Sequence, residues 1–388
     1  MDNKTTRPIN VAEVKKIAEQ VLQKPVWRYY VDGADEQLTT AQNERVYKQV
    51  LIRPRVLRDV SSIDMKTTVF GKTYDSPIAI SPSAYQKLVG HGGEIDVARA
   101  AFTKGTNFIL SSNATTSLED VATGLSPRQD GYPMPWFQLY YVDSHYEELI
   151  RRAEDAGYEA LVLTVDTVVM GNRLHERKEP LKLPPGLSLA NMKSRKSTGS
   201  SKGRLILNAE TAAEAAKIAK KYASELTATD LTWEKTIPLL RSKTKLKIIL
   251  KGILTAEDAL KAVEAGVDGI MVSNHGGRQL DGVPATLEAL PEIVDAVRGR
   301  VPILFDGGIT HGADVFKALA LGADLCFLGR SALWGLAYDG QKGVETVLNI
   351  LERELWRTMA LSGARSIKDI TRSMLGVRRT DGFGVARL

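Results

Sequence analysis

Twelve residues carry the chain's most suggestive chemistry: Ile270-Met271-Val272-Ser273-Asn274-His275-Gly276-Gly277-Arg278-Gln279-Leu280-Asp281. A short apolar run ends in a polar, glycine-bearing loop with an imidazole and, three residues on, a guanidinium. A buried strand that delivers a base and a cation at its carboxyl end is a common way to build an α/β active site. The plainer reading is a solvated turn with a stray histidine. Other apolar runs weigh against it, because each ends in groups that bond or carry charge. The ends are Ser81-Pro82-Ser83-Ala84, Ser111-Ser112-Asn113, Gln138 with Tyr140, Thr164 with Asp166 and then Arg173, Lys251-Gly252, Ser273-Asn274-His275, Asp306-Gly307-Gly308 and Gly329-Arg330.

These groups suggest roles. Asp166 and His275 make a base with an orienting carboxylate, but no Gly-x-Ser-x-Gly nucleophile elbow accompanies them. The glycines of Asp306-Gly307-Gly308 and Gly329-Arg330 would let backbone N–H groups approach an anion, and Arg330 would add charge. In a parallel barrel the last two loops form the usual phosphate site. Lys251 would be an expensive cation at the end of a buried strand unless it forms a Schiff base or faces a negative part of a ligand. The remaining histidines, His91, His145, His175 and His311, lack metal-site spacing and read as surface or loop residues, so no metal is expected. Cys326, the only cysteine, lies in an apolar run and reads as a small core hydrophobe.

The elements that must position these groups follow from apolar patterning. Eight strand-like runs recur: Ile78–Ser81, Asn107–Leu110, Trp136–Tyr140, Ala160–Val165, Lys247–Lys251, Gly269–Ser273, Pro302–Phe305 and Asp324–Leu328. Amphipathic segments such as Gly93–Lys104, Thr255–Ala265 and Gly312–Leu321 lie between them. Strands this apolar belong to a parallel sheet covered by helices. Eight is the number that closes a (β/α)8 TIM barrel, and the Gly-x-Gly-x-x-Gly fingerprint of the open alternative is absent. The expected fold is therefore an α/β barrel spanning 1–388 as one domain, with an N-terminal helical extension over 1–60. Asn10 caps a first helix carrying Val14, Ile17, Ala18 and Val21. A Pro-rich, basic insertion at 176–210, with Lys193, Arg195, Lys196, Lys202 and Arg204, follows the fourth strand and reads as a mobile lid or as simple disorder.

The chain has 388 residues, 43% hydrophobic and 25% charged, with a net charge of +6 spread along its length. That suits a small anionic ligand and gives no reason to invoke nucleic acid. No apolar run is long enough for a membrane span. Ala386-Arg387-Leu388 fits the small–basic–leucine form of a peroxisomal address, with the cytoplasm as the alternative.

The motifs together resemble the FMN-dependent α-hydroxy acid oxidase and dehydrogenase family, which includes glycolate oxidase and lactate oxidase. The resemblance is carried by Tyr29–Ala34, Arg53–Arg55, Phe137–Tyr140, Leu163–Thr167, Leu250–Gly252, Ser273–Gln279, Phe305–Gly308, Asp314–Ala323 and Leu328–Arg330, in the family's order across nearly the whole chain. It implies His275 as base, Asp166 as its electrostatic partner and Tyr140 bonding the substrate hydroxyl. Tyr29, Arg173 and Arg278 would hold the substrate carboxylate. Pro82, Ser83, Ala84, Ser111, Gln138, Thr164, Lys251 and Ser273 would line the flavin, and Asp306, Gly307, Gly308, Gly329 and Arg330 its ribityl chain and phosphate. The implied reaction oxidises an (S)-2-hydroxy acid to the 2-oxo acid, with dioxygen reoxidising FMN to give hydrogen peroxide, in a homotetramer. A dehydrogenase using another acceptor is the alternative, and a non-catalytic flavin-binding barrel the alternative of another class. Four positions depart from the family pattern. Thr310 stands where an arginine is usual, which weakens the expected hold on FMN. Asn113 stands where glycolate oxidases carry tryptophan. Tyr85 and Met170 replace methionine and leucine of the plant enzyme. These changes point toward lactate or a longer 2-hydroxy acid.

Overall fold

The computed structural model describes residues 7–125, 133–142, 145–192, 199–223, 226, 228–379 and 384–388, with the side chains of 199–202 left aside. Eight parallel strands form one sheet: β1 (Ile78–Ile80), β2 (Ile109–Ser111), β3 (Trp136–Leu139), β4 (Ala160–Thr164), β5 (Lys247–Ile253), β6 (Gly269–Val272), β7 (Ile303–Asp306) and β8 (Leu325–Leu328). Each strand pairs with the next in sequence from β2 to β8, and β8 pairs with β1. A parallel bridge between Ile80 and Phe108 joins β1 to the residues before β2 and closes the ring. All eight runs read from the sequence are strands of this barrel, and helices follow where amphipathic segments were expected.

Alternation decides which side chains fill the barrel, since successive residues face opposite sides of a strand. In β4, Ala160 and Val162 belong to the inner cluster with Ile109, Met271, Leu304 and Phe327, whereas Leu161 and Leu163 pack outward against the helices. A hairpin, Thr67–Val69 paired with Lys72–Tyr74, adds Val69 and Tyr74 to the inner cluster. Thr67 bonds the carbonyl of Asp324 just before β8, so the hairpin plugs the amino-terminal end. The open end is left to loops.

Three helices precede the barrel: α1 (Val11–Val21), α2 (Lys24–Val31) and α3 (Leu38–Arg45). Asn10 caps α1 as expected: its side chain accepts the Glu13 N–H at 2.8 Å. The buried stripe differs slightly from the reading, because Val11, Val14 and Ala18 are buried while Val21 is exposed. Pro25 stands in the first turn of α2, which fits its fixed φ and missing N–H. Two polar locks fasten this extension to the barrel mouth. Asn43 and Asn274 exchange side-chain bonds at 2.9 and 2.8 Å. Tyr30 donates its hydroxyl to the carbonyls of Ala84 and Tyr85.

Within 176–210 the structure has helices Leu174–Lys178 and Gly199–Leu207 and a short turn at Ala190–Met192. Lys193, Arg195 and Lys196 lie outside the described residues, as does the Lys202 side chain. His175 corrects the sequence reading of a surface or loop position: it sits inside a helix, with its side chain only 15% exposed. The C-terminal residues Val385–Arg387 pair antiparallel with Leu375–Arg378, placing Ala386 opposite Val377 in an exposed edge strand. Among the described residues no helix is long and apolar enough to cross a membrane.

Candidate active site

The strand ends and α2 surround a cavity of about 1580 Å³ at the carboxyl-terminal mouth of the barrel. Roughly 300–1,000 Å³ suffices for a drug-sized ligand, so a cofactor and a substrate can share this space.

His275 stands in the loop after β6 with φ +57, and Gly276 and Gly277 follow at +66 and +73. Left-handed backbone at a histidine costs on the order of 1–3 kcal/mol and persists only where its surroundings impose it. They do so here. The His275 N–H donates to Ser273 Oγ at 3.1 Å, and its Nδ1 lies 2.9 Å from Asp166 Oδ1. Thr167 donates to the same Asp166 oxygen at 2.8 Å. With Asp166 as acceptor, the proton of a neutral ring sits on Nδ1 and Nε2 keeps its lone pair. Burial lowers the His275 pKa, and the charges of Lys251 and Arg278 lower it too, against an opposing push from Asp166. The ring therefore rests as free base. Burial alone would raise Asp166, but His275, Lys251 and Thr167 bring it down to about 2, so it stays ionised.

Asp166 reaches His275 through an irregularity in the neighbouring strand. Lys251 was read as the end of strand five, yet β5 runs on to Ile253 across a register shift. Gly252 occupies the shift with φ +113, where a Cβ would come within 2.7 Å of Asp166 Cβ. Lys251, 3% exposed, points inward and donates to Ser273 Oγ at 2.9 Å, with Asp306 Oδ2 at 3.8 Å.

Two guanidiniums share one face of the cavity. Arg278 lies 4.9 Å and Arg173 5.8 Å from the Tyr29 ring centre. Arg278 is held by the backbone carbonyls of Tyr29 and Asp32, which fix α2 to the loop after β6. Gln279 laces that loop to the one after β4, donating to the carbonyls of Asp166 and Val169 and accepting the Gly171 N–H. Burial lowers the Arg278 pKa, and the charge of Arg173 lowers it further. Two buried cations side by side are a ready site for a planar anion such as a carboxylate. Tyr140 also lines the cavity, and burial together with the Asp166 charge raises its pKa, so it remains a protonated hydroxyl.

At the other end the groups fit a phosphorylated, hydroxylated ligand. Asp306 accepts from Ser81 at 3.0 Å through Oδ2, while its buried Oδ1 has no partner among the described residues. Arg330 donates to the carbonyls of Tyr30 and Gly276, leaving Nη2 buried without a partner among the described residues. Burial and the charge of Arg278 push the Arg330 pKa down to about 10, a strain that an anion would relieve. A Cβ built on Gly329 would meet nothing within 4 Å. Gln138 bonds Thr164 at 3.0 Å and receives Ser111 and Ser112, making a polar wall between the two ends. Pro82, Ser83 and Ala84 line the same cavity, as do Gly307 and Gly308. Thr310 brings no charge there and instead donates its N–H and hydroxyl to Asp314 in the first turn of the next helix.

The residues read from the sequence as base, carboxylate ligands, flavin wall and phosphate site are therefore grouped around this one mouth. The residues missed are the ones that hold others: Asn43, Tyr47 (whose hydroxyl bonds the Gly307 carbonyl) and Glu176, which pairs with Arg173 at 2.8 Å. Asn43 and Tyr47 carry no local signal. Glu176, three residues after Arg173 in a short helix, could have been found as an i,i+3 partner.

Comparison with known proteins identifies the chain's relatives. The profile of the family described as FMN-dependent dehydrogenase matches residues 18–377. Glycolate oxidase 3 of Arabidopsis thaliana is 45% identical over 366 residues, covering 94% of this chain and 95% of the relative. L-lactate oxidase of a Nostoc species is 42% identical over 373 residues, covering 95% and 98%. A solved mandelate oxidase with (S)-4-hydroxymandelic acid superposes with a TM-score of 0.83 at 36% identity, over 98% of this chain and all of the other.

Proposed function

The chain belongs to the FMN-dependent dehydrogenase family, and from that premise we propose how its residues divide the work of oxidising a 2-hydroxy acid. The protein is an FMN-dependent 2-hydroxy acid oxidase. FMN, when bound, supplies the two-electron acceptor, and its reoxidation by dioxygen releases hydrogen peroxide. Asp306 would take a ribityl hydroxyl on its free Oδ1, and Arg330 with Gly307, Gly308 and Gly329 would take the phosphate. Lys251 and Ser273, beside Gln138, Thr164 and Ser111, would line the isoalloxazine with Pro82, Ser83 and Ala84.

The single observation that carries the residue assignment is His275 held by Asp166 at 2.9 Å beside the paired Arg173 and Arg278. The two arginines, with Tyr29, bind the substrate carboxylate. Tyr140 donates to the hydroxyl oxygen. His275 Nε2 takes the proton as the substrate is oxidised, and the ionised Asp166 stabilises the imidazolium that results. Met170, Met192 and Ile206 line the outer cavity, which favours a substrate with an apolar side chain, lactate-like or longer, over glycolate. The described parts of 176–210, of which Met192, Gly203 and Ile206 line the cavity, would serve as a lid over this mouth.

The test is an anaerobic screen of 2-hydroxy acids against the FMN absorbance, followed by admission of air. Bleaching by (S)-lactate or a longer acid and rapid recovery in air support the oxidase. Slow recovery without a dye indicates a dehydrogenase, and no bleaching by any acid indicates a flavin-binding barrel. Two properties rest on the resemblance and the chain's last residues. A homotetramer is checked by light scattering. A peroxisomal address at Ala386-Arg387-Leu388 is checked by whether deleting the tripeptide leaves a fluorescent fusion in the cytoplasm.

A further inference from the structure

Glu176 is a buried carboxylate, 5% exposed, set between two guanidiniums. Its Oε2 lies 2.8 Å from Arg173 Nη1 and its Oε1 lies 3.0 Å from Arg204 Nη2. Arg204 belongs to helix Gly199–Leu207, whose Gly203 and Ile206 line the cavity, and it also reaches the carbonyl of Leu181 at 3.4 Å. All three charged side chains are largely buried, with exposures of 11%, 6% and 16% for Arg173, Glu176 and Arg204. Arg173 Nε, in the same guanidinium, has no partner among the described residues.

The charge count matters here. One carboxylate facing one guanidinium neutralises it and leaves little attraction for an incoming anion. One carboxylate shared by two guanidiniums leaves a net positive charge in a site where water does not screen it. We propose that Arg204 is a positioning residue that draws on one oxygen of Glu176 and so leaves Arg173 free to bind the substrate carboxylate. Seating of helix 199–207 against Glu176 and binding of the carboxylate are then coupled, and each favours the other by the same factor. Removing Arg204 leaves Glu176 to Arg173 alone, which weakens the grip on an anion without touching the base.

The proposal rests on Arg173 as a carboxylate ligand, and the experiment separates the two ideas. The oxidised, FMN-loaded enzyme is titrated with pyruvate and with pyruvamide, its uncharged counterpart, following the shift of the flavin band. Arg204→Met should raise the dissociation constant for pyruvate by about tenfold, the usual scale for one charge-assisted contact, and leave that for pyruvamide unchanged. Arg204→Lys should recover most of the loss. In an Glu176→Gln background, Arg204→Met should have no further effect, since the carboxylate through which it acts is gone. In turnover, KM should rise while kcat holds. An unchanged pyruvate constant, an equal loss for both ligands, or the same loss in the Glu176→Gln background would overturn the relay. A wild-type enzyme that binds pyruvate no better than pyruvamide would instead remove Arg173 as the carboxylate ligand, and the relay with it.

Discussion

Gly252 and Asp166 are in contact: a Cβ on Gly252 would lie 2.7 Å from Asp166 Cβ, and the glycine holds φ +113, a conformation that side-chain-bearing residues rarely adopt. The register shift in β5 therefore makes room for the carboxylate that orients His275. Gly252→Ala should destabilise the fold by about 1–3 kcal/mol in denaturant titration. It should also lower kcat by more than it raises KM, because it displaces Asp166 and not the arginines. Unaltered kcat in a folded Gly252→Ala enzyme would show that the close approach does not set the geometry of the base.

Protonation of His275 gives a signed pH dependence. Burial, Lys251 and Arg278 lower its pKa, so the free base persists to a pH below the ordinary imidazole value of 6.5. Reaction needs the free base, so kcat/KM should be flat at neutral pH and fall on an acid limb below 6.5. Asp166→Asn removes the one group that raises the His275 pKa. It should move that limb further to acid and lower kcat by roughly a hundredfold or more, since the imidazolium loses its counter-charge. A limb at or above 6.5, measured with a substrate that does not itself titrate there, would contradict the assignment.

Thr310 bears on the cofactor. It donates to Asp314 at the start of a helix and offers no charge, leaving Arg330 as the buried guanidinium aimed at the phosphate end. Thr310→Arg should tighten FMN binding to the apo-protein by about tenfold, measured by recovery of flavin fluorescence on dilution. Arg330→Met should weaken it by a similar factor or more. Equal affinity in Thr310→Arg and wild type would mean that other groups already satisfy the phosphate.

The barrel was readable because its strands are short apolar runs separated by amphipathic segments, and the site because each run ends in a polar residue. What could not be read were contacts that join distant parts of the chain. Asn43 and Asn274 are 231 residues apart, and neither pattern nor composition announces their exchange of hydrogen bonds. Lys251 looked like a strand end because the apolar run stops there, yet the strand continues to Ile253. Which face of each strand turns inward was also hidden: Ala160 through Thr164 are all buried, so no polar side marks the outside. His175, read as a surface or loop residue for want of metal-site spacing, instead lies in a short helix with its side chain 15% exposed.

His275 as the base is tested most directly by His275→Gln, reduced anaerobically with a 2-hydroxy acid that bleaches the wild-type flavin. The variant should purify yellow, still shift its spectrum on binding pyruvate, and reduce at least about a hundredfold more slowly than wild type. A variant that bleaches at a rate near that of wild type would show that the proton leaves the substrate by another route.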